Sequence, residues 1–171
     1  MSVKQAEQTV GSVEGAQPRF QLSLRLISIL LVIFGLGISG YLSYVKLTDV
    51  PMVCSANGAF DCGAVQGSVY SELGGIPIAW MGFAVNILML TILLLEPRVE
   101  FLRQSGNGVM LLFGIVLFAA LYSVYLIYIQ GVVLQAWCMW CLMHEAYIFI
   151  LFGVTLWRVI VILSKTEVEA H

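Results

Sequence analysis

Long apolar runs separated by short polar stretches organise this chain; no period-two alternation competes with them. Four runs, 26–45, 76–95, 109–129 and 138–157, each carry about the 20 residues a helix needs to cross about 30 Å of hydrocarbon. The last stays apolar as far as Leu163. A helix satisfies its own backbone polar groups, so it is the open structure that lipid permits. The pattern therefore predicts an all-α integral membrane protein built as a four-helix bundle.

Composition strengthens that reading. Of 171 residues, 60% are hydrophobic and 11% charged, where a soluble domain carries about 25% charged residues. A net charge of −2 gives no basic surface for nucleic acid. Residues 1–20 are polar and mixed in charge, and no A-x-A site follows the first run. They are expected to form a disordered cytoplasmic tail. Residues 21–164 then form one transmembrane domain, with a short cytoplasmic tail at 165–171 and no expected second domain.

The basic residues set a direction. Lys4, Arg19 and Arg25 precede the first run, Arg98 and Arg103 lie between the second and third, and Arg158 and Lys165 come late. An excess of Lys and Arg marks the cytoplasmic side. Both termini are therefore predicted inside, with 46–75 and 130–137 outside. Lys46 is the exception, on the outer side.

All four cysteines fall on that outer side, where disulfides persist. Cys138 and Cys141 form a C-x-x-C opening the fourth run, "CMWC". At a helix N-terminus the free N–H groups and the dipole favour a thiolate, the nucleophile of disulfide exchange. Three residues of helix put both sulfurs on one side, with Cys141 roughly 4.5 Å deeper than Cys138. The first is expected to look outward to other thiols and the second into the bundle. Cys54 and Cys62, in "CSANGAFDC", bracket an Asn57-Gly58 turn signal. They read as a small flexible loop whose disulfide can swing toward Cys138. Two static disulfides in a non-enzymatic membrane scaffold, or a four-cysteine zinc site in a metal-binding membrane protein, use the same residues. A dithiol shuttle is favoured because two dissimilar pairs meet at one membrane edge.

Glu145 shares a helical face with Cys138 and Cys141. An ionised acid at membrane depth costs about 2.5–3.5 kcal/mol or more and marks an interior or a wet cavity. It can exchange the protons that accompany two-electron transfer, unless it is merely a wet interfacial acid. His144, rotated about 100° from it, is expected to face headgroups or another helix. Trp80, Trp137 and Trp140 fit an interfacial belt. Tyr122, Tyr125 and Tyr128 line a pocket or anchor the interface. Asn86 is predicted to bond another helix, and Gly35, Gly37 and Gly40 to permit close packing.

Taken together, the first-loop cysteine pair, Ser68 after it, the Gly75-Ile76-Pro77 entry to the second run and the late C-x-x-C resemble the vitamin K epoxide reductase family in its bacterial homologues. The resemblance covers about 22–163. The DsbB type of quinone-linked thiol oxidase is similar in chemistry but carries its C-x-x-C in the first outer loop, the reverse of this order. The resemblance implies a four-helix bundle enclosing a quinone, of menaquinone or ubiquinone type, near the outer face of a bacterial inner membrane. Cys54 would meet a reduced partner, Cys62 would relay to Cys138, and Cys141 would face the quinone. Ser68 would hydrogen-bond near the quinone or hold the covering loop. Glu145 stands where vertebrate members place a tyrosine, so it is a candidate quinone-binding residue. Some bacterial members carry a fused thioredoxin-like domain; here a separate exported thioredoxin-fold, DsbA-like partner is expected. The implied activity is a quinone-dependent thiol oxidase supporting disulfide bond formation.

Overall fold

The computed structural model describes residues 3–48, 50–54, 60–103 and 106–169, with side chains between Gln21 and Ser164. Helix α1 spans Val3–Thr48, α2 Cys62–Gln66, α3 Ile78–Leu95, α4 Glu100–Arg103, α5 Asn107–Tyr128 and α6 Met139–Glu169. Four segments are long and apolar enough to cross a membrane: Gln21–Thr48, Ile78–Leu95, Asn107–Val133 and Met139–Ser164. The protein is a multi-pass, all-α membrane protein, as the apolar runs predict. Helix α1 also extends back through most of the leader expected to be a disordered tail. That leader is rich in Ala, Glu and Gln, which add to an existing helix at little cost.

The bundle packs α1 along α3 and α6, and α5 along α6. Its core is an apolar cluster around Val32, Met89, Leu93, Leu112, Val116 and Leu151. Large apolar side chains such as Leu30, Phe118 and Leu121 point outward, as hydrocarbon solvent requires. At the end away from the cysteines, Glu96 ties three helices together. It accepts from Arg158 Nη2 of α6 at 2.6 Å and lies 3.8 Å from Arg25 Nε of α1. Arg25 also donates to the carbonyl of Leu93 in α3 at 2.8 Å.

The predicted glycine contacts divide. A Cβ on Gly35 would fall 2.3 Å from the Tyr147 ring, so α1 and α6 approach closely only because that position is bare. On Gly40 it would meet Phe83 at 3.3 Å, and on Gly37 it would meet nothing.

The second membrane helix begins at Ile78 rather than Ile76, because Ile76–Pro77 pairs with Glu72–Leu73 in a two-stranded hairpin, β2 with β1. Gly74 and Gly75 form its turn with φ of 60° and 83°. A two-residue turn with both centres at positive φ suits glycine. The third membrane segment does not stop at Tyr128; it continues as a π-helical turn over Ile129–Val133.

Candidate functional site at the cysteine end of the bundle

Cys54 and Cys62 are joined as a disulfide, while Cys138 and Cys141 are free thiols. The two pairs share one buried cluster: Cys62 and Cys138 lie at its heart, with Val65 and Ala136, and Cys54 and Cys141 pack at its edge. The spatial convergence expected of the two pairs is therefore present. Two expectations about their setting change. Cys62 opens the short helix α2, capped by the Asp61 carboxylate accepting from the Ala64 N–H at 2.8 Å, so it is not in a loose loop. Cys138 is fully buried, not open at a mouth, because α2 covers it. The Asn57-Gly58 turn lies outside the described residues.

The covering segment is fastened along the start of α6. Asp61 N–H donates to the Trp137 carbonyl at 3.0 Å, and Phe60 bridges to Trp137 as a parallel strand partner. Trp140 Nε1 donates to the Val53 carbonyl at 2.9 Å, so this tryptophan pins a loop as well as stacking near Tyr41. Gln66, the last residue of α2, donates from Nε2 to Cys141 Sγ at 3.4 Å. Lys46 holds the far side of the loop through Gln66 O at 3.1 Å, Ser71 Oγ at 3.4 Å and Glu72 Oε1 at 3.1 Å. That accounts for the basic residue that broke the charge pattern.

Cys138 sits just before α6 rather than within it. Its carbonyl accepts the Leu142 N–H at 2.9 Å, and its sulfur accepts the Cys141 N–H at 3.4 Å. A donor aimed at sulfur from a helix start favours the thiolate.

Beneath the cysteines lies a cavity of about 700 Å³, mostly apolar, walled by α1, α2, α3, α5 and α6. Cys141 is on its wall, as are Ser68 and Glu145; Cys138 is not. Ser68 Oγ donates to the Val65 carbonyl at 2.8 Å, and its own carbonyl accepts from Ser71 Oγ at 2.8 Å. It thus fixes the turn between α2 and the hairpin.

Glu145 is buried within the bundle, on the wall of the cavity. Its Oε1 accepts from Gln130 Nε2 at 3.0 Å, and Gln130 Oε1 accepts from the Cys138 N–H at 3.0 Å. Glu145 Oε2 is buried without a partner among the described residues. Gln130 escapes notice in the sequence because a glutamine ending an apolar run reads as interfacial. The π-helical turn rotates it into the bundle, and no periodicity announces such a turn.

A second polar group lies beside the cavity, with Ser39, Asn86 and His144 on its wall and Tyr147 behind them. Asn86, Ser39, Tyr147 and His144 hydrogen-bond together across α1, α3 and α6. Asn86 does bond other helices as expected, and His144 faces α3 and the cavity rather than headgroups. Of the three tyrosines, Tyr122 lines the cavity while Tyr125 and Tyr128 are exposed on the bundle surface.

These residues fit a flat, lipid-soluble two-electron acceptor. The wall is apolar enough for such a ring, one thiol reaches it, and an orphaned carboxylate oxygen lies beside it.

The profile of the vitamin K epoxide reductase family matches residues 26–156. Over 117 residues, 67% of the chain, the sequence is 33% identical to the thiol-disulfide oxidoreductase LTO1 of Arabidopsis thaliana. The match spans 31% of that protein's length.

Proposed function

Because the chain belongs to the vitamin K epoxide reductase family, we propose that it is a quinone-dependent thiol oxidase that re-oxidises an exported thioredoxin-fold protein. The observation that carries this reading is the burial of Cys62 against Cys138 directly above a cavity whose wall holds Cys141.

The chemistry runs as two disulfide exchanges on this chain. A thiolate of the reduced partner attacks the Cys54–Cys62 disulfide at Cys54, forming a mixed disulfide and releasing Cys62 as thiolate. The partner's second thiol then displaces Cys54, so the partner leaves oxidised and the outer pair is a dithiol. Cys62 next attacks Cys138 of an oxidised Cys138–Cys141 pair. Cys141 leaves as thiolate, and Cys54 resolves the Cys62–Cys138 bond. The outer disulfide is restored and the inner pair is left reduced. That is the state of the present structure, with Cys54–Cys62 joined and Cys138 and Cys141 free.

A quinone of menaquinone or ubiquinone type in the cavity supplies the sink for the two electrons and two protons that the inner dithiol must lose. Gln66 stabilises a Cys141 thiolate through its Nε2 donor. Glu145, held by Gln130 on one oxygen and unpartnered on the other, receives the proton from Cys141 and holds it at the cavity wall. Ser68 keeps the cover in place and excludes water.

Residues 21–164 form the working domain in this reading. Both termini lie in the cytoplasm, as the basic residues suggest, and the cysteines face outward across a bacterial inner membrane. The partner is a separate DsbA-like protein. The membrane location has a physical reason: the donor dissolves in water and the final acceptor in lipid, so two dithiol stations bridge the solvents.

Cys141→Ser tests the assignment in purified protein with a reduced thioredoxin-fold donor and a soluble quinone. Quinone reduction should fall to background while a disulfide-linked partner adduct still forms. Wild-type quinone reduction by the variant would overturn the relay order.

A further inference from the structure

The Asn86 network fixes a proton position, and this bears on how the cavity holds its ligand. Asn86 is 1% exposed and bonded on every side. Its Nδ2 lies 2.9 Å from the Gly82 carbonyl, which can only accept, so that atom is the amide nitrogen. Its Oδ1 accepts from the Tyr147 hydroxyl. Ser39 Oγ donates its single proton to the Gly35 carbonyl at 2.9 Å, leaving only acceptor capacity toward Asn86. The amide nitrogen has two protons: one goes to the Gly82 carbonyl, and the second is shared between Ser39 Oγ at 3.4 Å and His144 Nε2 at 3.3 Å, toward which an amide nitrogen can only donate. A neutral imidazole that accepts at Nε2 carries its proton at Nδ1. Among the described residues that ring makes no other hydrogen bond, and it stands on the cavity wall.

We infer that His144 is a ligand-binding residue, a neutral Nδ1–H donor preset by Asn86 to bind one carbonyl oxygen of a dione in the cavity. The inference rests on the proposed quinone dependence and deepens it. Two polar stations, His144 on the Asn86 network and Glu145 on Gln130, stand on a wall that is otherwise mostly apolar. A ligand with an apolar body and a carbonyl oxygen facing His144 matches that wall, and Glu145 can donate to a second oxygen once it has taken up a proton. Asn86 is a positioning residue: it reaches the ligand through His144.

The test uses the full chain in nanodiscs with 2,3-dimethyl-1,4-naphthoquinone carrying ¹³C at its carbonyls. In wild-type protein, infrared difference spectra should show a carbonyl band lowered by hydrogen bonding. His144→Phe should return it toward the free position and weaken binding roughly three- to tenfold, the size of one neutral hydrogen bond. His144→Gln, which keeps a donor, should restore both. In unsubstituted protein, ¹⁵N solid-state NMR should find His144 protonated at Nδ1 and bare at Nε2; this needs no variant to fold. The opposite tautomer, or a carbonyl spectrum and affinity unmoved by His144→Phe, overturns the inference and leaves the thiol-oxidase reading standing. Absence of any bound quinone in wild-type protein overturns both.

Discussion

At the residue scale, the site is a set of paired polar atoms with two openings on the cavity wall, Glu145 Oε2 and His144 Nδ1, among the described residues. Glu145 is buried with one oxygen bonded and one free, beside a cavity that reaches Cys141. A buried group without a partner costs about 1–3 kcal/mol, so its persistence fits a role in which the missing partner arrives. Gln130 carries that arrangement by bonding both Glu145 and the Cys138 N–H. Gln130→Ala should destabilise the fold by about 2–6 kcal/mol, because it leaves two buried groups unpaired at about 1–3 kcal/mol each. It should also slow re-oxidation of the inner dithiol more than oxidation of the partner. Denaturant titration in mixed micelles and stopped-flow thiol trapping check the two effects. Equal slowing of both half-reactions would deny Gln130 its place beside the inner pair. The cysteines and Glu145 were legible in the sequence because thiols and buried acids are rare and chemically specific. Gln130 and the Asn86–His144 contact were not, since each depends on which helices become neighbours.

At the element scale, the apolar runs foretold four spans because hydrocarbon leaves the backbone so few choices. Their ends were less legible. The second span starts late because Ile76–Pro77 joins a hairpin, and the third ends in a π turn that no hydrophobic period encodes. The cover over the inner cysteines was not legible: α2, which follows the Cys54–Cys62 stretch, is capped and docked along the start of α6. Lys46 clamps that cover through three oxygens. Lys46→Met should loosen it without touching the cysteines. The Cys54–Cys62 disulfide should then be reduced faster by dithiothreitol, and amide exchange at 62–72 should rise, both read by mass spectrometry. Unchanged exchange would mean that the docking contacts of Asp61 and Trp140 suffice alone.

At the scale of the whole molecule, the fold separates two tasks by position. The end marked by Arg25, Glu96 and Arg158 locks three helices with charge, while the cysteine end keeps a cavity and a docked cover. Adjacency of the two cysteine pairs is the claim on which the relay depends. It is tested most directly by a Cys54→Ser/Cys141→Ser double variant, in which Cys62 and Cys138 are the remaining thiols. Mild oxidation followed by non-reducing peptide mapping should find them joined within one chain, nearly to completion and independent of protein concentration. Free thiols on both residues, or bonds only between separate chains, would contradict the account.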